Sequence, residues 1–240
     1  MAMGVQSQII AIGGAAFRAE PENLAADRYI LDQTRKKRPS VCFIPTASAE
    51  PADVIAKFYD AYTRLGAKPS VLRLFQRTPD LRQALLGQDV IYIGGGNTRS
   101  MLAVWREWDL PQVLREAWRQ GIVLAGVSAG AICWFDQGIT DSWADRLALL
   151  DCLGFLPGTC CPHYDSEPER RPSVHDLVSR AAVARVLALN DGAAAHFIGR
   201  RLHRVVTWLP NAQGYRVTQQ RGRVVETELP ALRLRPHRPR

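Results

Sequence analysis

Residues 122–135 read Ile-Val-Leu-Ala-Gly-Val-Ser-Ala-Gly-Ala-Ile-Cys-Trp-Phe. An unbroken apolar run, Ile122–Val127, stops abruptly at Ser128, and a second apolar run, Ala131–Phe135, opens just beyond it. A strand with no polar alternation is one buried on both faces, as in a parallel sheet covered by helices. The spacing therefore predicts strand, tight turn and helix, with Gly126 and Gly130 flanking the serine. Glycines are required there because the turn leaves no room for side chains against the neighbouring strand and helix. A Gly-x-Ser-x-Gly string arises by chance about 0.08 times in a chain of this length. Context therefore decides, and this context is that of a nucleophile elbow: the Ser128 hydroxyl stands out at the carboxyl edge of the sheet, and the first helical amide, that of Ala129, is aimed at a developing oxyanion.

Working outward, the same alternation recurs. Strands are expected at Gln8–Ile12, Ser40–Ile44, Ser70–Leu74 and Asp89–Ile93, with helices at Leu24–Thr34, Ala52–Leu65, Thr98–Trp105 and Pro111–Arg119. This is the signature of βαβ units around a mostly parallel sheet. The second half is less regular. Leu147–Phe155 reads as helical or irregular, Pro157–Pro172 as a loop and Val174–Leu187 as a helix. His196–Ile198, Arg204–Trp208, Gly214–Gln219 and Val224–Glu228 read as short strands extending the sheet in antiparallel fashion. With no internal repeat, linker or low-complexity segment, residues 1–230 are expected to form one α/β domain.

The 240 residues are 47% hydrophobic and 22% charged, which excludes disordered, collagenous and coiled-coil classes. Net charge is +8, but Arg233, Arg235, Arg238 and Arg240 supply half of it. The basicity is thus partly a property of residues 231–240, read as a flexible tail, and no interleaving of aromatic and basic residues points to nucleic acid. No apolar run approaches the length of a membrane span. Five cysteines, an odd number without a secretory signal, fit reduced thiols in a cytoplasmic protein.

Serine needs a base. His196 lies in an apolar strand, His175 and His203 on charged faces, and His237 in the tail, which leaves His163, in Cys161-Pro162-His163-Tyr164-Asp165. A zinc reading of Cys160, Cys161 and His163 fails for want of a second ligand pair. The acid that orients the imidazole is open among Asp141, Asp165, Glu167 and Asp191. A second glycine cluster, Gly94-Gly95-Gly96-Asn97-Thr98, ends a strand and begins a helix, so its bare amides are either an oxyanion or phosphate cradle or a structural turn. Gly13-Gly14 reads as a sheet-edge turn lining the cleft.

The glycine loop, the Ser128 elbow and Pro162-His163, in that order, resemble the peptidase E and cyanophycinase family of serine peptidases. Ser128–Phe135, with Thr140-Asp141-Ser142 and Cys161–Asp165, looks like its peptidase E branch. The resemblance spans roughly Ile9 to Phe197. It implies a three-layer α/β sandwich similar to class I glutamine amidotransferases, no metal or cofactor, and removal of an N-terminal aspartate from dipeptides and short peptides. It further implies Ser128 as nucleophile, His163 as base, Asp141 as the acid, and amides of Ala129 and Gly95 or Gly96 as oxyanion hole. Asn97 and Thr98 would then contact substrate. Arg170 and Arg171 are candidates for a substrate carboxylate, or else a solvated pair beside Glu167 and Glu169. Glutamine amidotransfer is disfavoured, because that chemistry uses cysteine at the elbow. A cyanophycinase-like or esterase-type serine hydrolase and a non-catalytic binding protein on the same fold are the remaining alternatives, and pairing of exposed sheet edges makes a homo-oligomer the expected assembly.

Overall fold

The computed structural model describes residues 6–77, 79–143 and 145–237. Its first half runs β1 (Gln8–Ile12), α1 (Ala25–Asp32), β2 (Ser40–Ile44), α2 (Ala52–Arg64), β3 (Lys68–Val71), α3 (Leu81–Leu85), β4 (Val90–Ile93), α4 (Thr98–Glu107), α5 (Leu110–Arg119), β5 (Val123–Val127) and α6 (Ala129–Ile132). The second half runs β6 (Phe135–Trp143), β7 (Arg146–Asp151), β8 (Leu156–Cys161), α7 (Arg170–Ser179), β9 (Arg185–Leu189) and β10 (Ala193–Ile198). It ends with β11 (Arg201–Thr207), β12 (Gly214–Gln220), β13 (Arg223–Glu228) and β14 (Ala231–Arg233).

The strands form two sheets. The larger has the order β14-β11-β10-β1-β5-β4-β2-β3 and is parallel from β1 through β3. Alternate residues of its strands enter different cores. Ile9, Ala11, Ile91, Ile93 and Leu124 pack with α4, α5 and the inner side of β6 and β8, whereas Ile10, Ile12, Phe43, Tyr92 and Ala125 pack with α1 and α2. Burial on both faces is why these strands read as continuous apolar runs. The sheet lies between helices on one side and helices with the second sheet on the other, an α/β sandwich.

The second sheet, β13-β12-β9-β8-β6-β7, departs from the expectation for this half of the chain. Leu147–Phe155 is mostly strand β7, the supposed loop contains β8, and the supposed helix Val174–Leu187 is divided between α7 and β9. Only β10 and β11 extend the main sheet in antiparallel fashion; β12 and β13 belong to the second sheet. A third core beneath α7 is built from Val174, Val178, Val186 and Val217.

The start of the expected tail is also ordered onto the sheet. Ala231–Arg233 pairs in parallel with β11, and the Leu24 amide donates to the His237 carbonyl at 2.9 Å. Arg238 and Arg240 lie outside the described residues. Among the described residues no helix is long and apolar enough to cross a membrane.

Candidate active site

Ser128 occupies the turn between β5 and α6 with φ 56° and ψ −113°. An L-residue is held there only by its surroundings, at a strain on the order of 1–3 kcal/mol. The constraints are specific. The Ser128 amide donates to the Ile12 carbonyl at 3.0 Å, and its carbonyl accepts from Ala131 and Ile132 at 2.9 and 3.0 Å. A Cβ on Gly126 would lie 2.2 Å from the Gly130 carbonyl oxygen, and one on Gly130 would lie 2.3 Å from that of Ile93. Both glycines of the elbow are therefore sterically required, as its reading from the sequence anticipates.

His163 follows β8 and also has a positive φ, 51°. Its Nδ1 is 2.7 Å from Asp191 Oδ1, at the turn between β9 and β10. Burial pushes the Asp191 carboxyl up, but the hydrogen bond and charge of His163, with a hydrogen bond from Ser166, outweigh it and hold the group below its ordinary value. Gly14, at the end of β1, makes this pair possible, since a Cβ there would stand 1.8 Å from Asp191 Oδ1 and 2.8 Å from His163 Cε1. The Gly192 amide donates to the Gly14 carbonyl at 3.2 Å and fixes the approach.

The glycine loop after β4 lies alongside. The Gly94 amide is taken by the Ile44 carbonyl at 3.1 Å and that of Asn97 by the Ala47 carbonyl at 2.8 Å, so those of Gly95 and Gly96 lie between two anchored neighbours. A Cβ on Gly95 would be 3.1 Å from Ser128 Cβ, which puts this backbone directly beside the serine. Ala129 is the first residue of α6, where helical geometry leaves an amide unsatisfied. Ser128, His163, Gly95 and Gly96 all line one cavity of about 270 Å³. Its other walls are the loop Ala15–Ala19, which includes Arg18, with Phe43, Ser48 and Val54. Phe17 and Phe43 pack edge-on at 5.8 Å and join Phe58, Tyr62 and Tyr92 in an aromatic floor. The loop 15–19 carried no chemical motif, and only its position after the Gly13-Gly14 turn hinted at the cleft.

Several expected site residues lie elsewhere. Asp141 is exposed on β6 and meets Arg170 at 3.5 Å; the carboxylate on His163 is that of Asp191. Asp165 accepts the Asp191 amide at 2.9 Å, and Glu167 is tied to Arg170 at 2.6 Å. Arg170 is buried, with its guanidinium spent on Glu167, Asp141 and the Ile139 carbonyl, and so is not available to a substrate. Arg171 pairs with Glu226 at 3.6 Å and lies over the rings of Tyr164 and Tyr215. Asn97 caps α4 by accepting the Ser100 amide at 2.9 Å and donates to the Ser142 carbonyl at 3.2 Å. Thr98 is buried against Thr140. These two tie the glycine loop to the second sheet, and neither lines the Ser128 cavity.

The adjacent cysteines face opposite ways across β8, Cys160 into the main core and Cys161 into the core under α7. Burial pushes the Cys161 thiol up to about 12. Among the described residues no three or more His, Cys, Asp or Glu side chains are grouped to hold a metal.

Comparison with known proteins gives the family. Residues 9–205 match peptidase family S51. The chain is 48% identical over 224 residues to the uncharacterized peptidase YgaJ of Bacillus subtilis, covering 93% of this chain and 97% of that protein. It is 34% identical to peptidase E of Shewanella oneidensis over 93 residues, 37% of this chain and 38% of that one. In fold it is similar to a crystal structure of a peptidase from an acI-B1 actinobacterium, with a TM-score of 0.69, 18% identity and coverage of 95% and 96% of the two chains. With its elbow serine at the end of β5 and most of its length matched, the chain belongs to the S51 family of serine peptidases.

Proposed function

We propose that the protein is a serine exopeptidase acting on dipeptides or other short peptides, with Ser128 as nucleophile, His163 as general base and Asp191 as the carboxylate that orients it. Ser128 Oγ attacks the scissile carbonyl while His163 Nε2 takes its proton. His163 Nδ1 donates to Asp191, which selects the tautomer and stabilises the imidazolium. The tetrahedral oxyanion receives amide hydrogen bonds from Ala129 and from Gly95 or Gly96. Nε2 then returns the proton to the departing amine, leaving an acyl-enzyme, and a water activated by the same imidazole releases the acid. No metal or cofactor enters these steps.

The observation that carries this reading is the 2.7 Å His163–Asp191 contact in a cavity shared with a serine held at φ 56°. A cavity of about 270 Å³ lies just below the usual range for ligand sites, which favours a short substrate over a polypeptide. Arg18 provides a cation on its lining, so a preference for an acidic N-terminal residue is assigned to Arg18 in place of Arg170 and Arg171.

The test is amine release from Asp-X, Leu-X, Ala-X and Arg-X dipeptides and β-Asp-Arg by the wild type, Ser128→Ala and Arg18→Gln. Cleavage of Asp-X that vanishes in Ser128→Ala and weakens through KM in Arg18→Gln is expected. Cleavage confined to β-Asp-Arg would place the protein with the cyanophycinase-like activities. Hydrolysis retained in Ser128→Ala, or none with any substrate, overturns the reading.

A further inference from the structure

A second cavity, of about 330 Å³, opens at the seam between the two sheets. Phe135 of β6, Val186 and Leu187 of β9, Phe197 of β10 and Leu202 of β11 form apolar walls. Four arginines ring it: Arg185 of β9, Arg200 and Arg201 at the β10–β11 turn, and Arg216 of β12. The strand register puts this turn at the amino end of the main sheet, because Ile198 faces Gln8, whereas Ser128 follows Val127, which faces Ile12. The two cavities share no residue.

The arginines come from three strands and a turn, yet among the described residues none of the four forms an ion pair with a carboxylate or spends its guanidinium on a carbonyl. Asp136, next to Phe135, is turned to the Gly158 amide at 2.8 Å. The surroundings add to the positive field, since burial, then repulsion from Arg119 and Arg200, hold the neighbouring Arg115 below its ordinary value. The four are exposed, and other exposed arginines such as Arg119, Arg204 and Arg223 also make no ion pair among the described residues; what sets these four apart is that they border one concave apolar surface. A concave surface with apolar walls, bordered by four guanidinium groups that make no ion pair among the described residues, has the makeup of an anion-binding ligand site. The charge count calls for more than one negative charge on the ligand, and the aromatic and aliphatic walls call for an apolar body.

We propose that this cavity binds a small organic anion carrying two or more negative charges, as phosphate or carboxylates, on an aromatic or aliphatic body. Bidentate contact from two forks fixes the anionic group, and the body covers Phe135 and Leu202. The site is separate from the serine pocket and does not depend on the reaction proposed there.

The experiment is calorimetric titration of the full chain with phenyl phosphate, inorganic phosphate and benzoate. One phenyl phosphate is expected per chain, at least tenfold tighter than either of the other two, with affinity falling between low salt and about 0.3 M salt. Arg185→Gln with Arg216→Gln should weaken it by about tenfold or more. Arg216→Lys, which keeps charge but loses the fork, should fall between, and Ser128→Ala should bind as wild type does. Equal binding of inorganic and phenyl phosphate identifies an adventitious anion contact and overturns the proposal. So do affinity unchanged in the double variant, or absence of binding at about 10 mM phenyl phosphate.

Discussion

Gly14 and Asp191 approach so closely that a single methyl group on the glycine would sit 1.8 Å from the carboxylate oxygen that holds His163. The end of the first strand thus sets the position of a carboxylate 177 residues away in sequence. Gly14→Ala is expected to displace Asp191 and rotate the imidazole. An error near 1 Å in such a group costs on the order of 10²-fold in rate. Hydrolysis should fall by at least that much through kcat, with the melting temperature lowered only modestly, and wild-type kcat in Gly14→Ala would contradict the assignment.

Asp191 and Asp141 are separated by a pair of substitutions. Asp191→Asn leaves the shape of the side chain but removes the charge and favours the wrong imidazole tautomer, so kcat should drop by about three to four orders of magnitude. Asp141→Asn, on an exposed carboxylate whose contact is Arg170, should leave kcat within about twofold of wild type. Steady-state kinetics on one substrate decides between them, and a large loss in Asp141→Asn would restore the expectation drawn from the resemblance.

Strain at the elbow gives a stability prediction of opposite sign to activity. Ser128→Ala and Ser128→Gly both remove the nucleophile and should both be inactive, but only glycine relaxes at φ 56°. Ser128→Gly should therefore be more stable than Ser128→Ala by about 1 kcal/mol in urea unfolding. Equal stability would mean that the turn stores no strain.

A pH prediction rests on Asp27, fully buried on α1, whose Oδ1 accepts from Tyr62 at 3.0 Å while Oδ2 has no hydrogen-bond partner among the described residues. Burial pushes its carboxyl up to about 7 from 3.8, against the smaller opposing effect of its hydrogen bonds. The folded state therefore binds a proton that the unfolded chain has already released. This contribution to stability is full below pH 3.8 and is lost as pH rises toward 7, on the order of 1.4 kcal/mol per unit. His196 works the other way, because burial, then the charges of His203 and Arg204, depress it to about 4 from 6.5, and its contribution is lost as pH falls through that window. Between pH 4 and 6.5 the two slopes oppose. Asp27→Asn should leave the His196 slope uncovered, so its stability relative to wild type should climb steadily from pH 4 to 7. A constant difference across that range would refute the shifted carboxyl.

What was legible in the sequence follows burial. β1, β2, β4 and β5 are enclosed on both faces, and their apolar runs announced them to within a residue or two. The second sheet gave no such signal. β7 has only partly buried or exposed residues, β8 carries Pro157 and Gly158, and the Ala- and Leu-containing run of β9 reads as readily as helix. That Ser128 and His163 share one cavity was foreseeable, the serine from its flanking glycines and the histidine by elimination among five. Asp191 was one acid among four, since partnership with His163 is set by the return of β10 beside β1 and not by any spacing along the chain. Arg170 misled for a related reason: charge in a sequence does not reveal burial, and this guanidinium holds β6 to α7.

The insertion of β10 against β1 also has a consequence in time. Gly14 is synthesised 177 residues before Asp191, and β10, which brings the two together, follows Asp191 in the chain. A nascent polypeptide that has just completed the Ser128 elbow does not yet contain His163 or Asp191, so the three come together only once the sheet closes around its own first strand. Under the proposed mechanism, loosening of that same seam in the finished molecule would part Asp191 from His163 while the rest of the sheet stays paired.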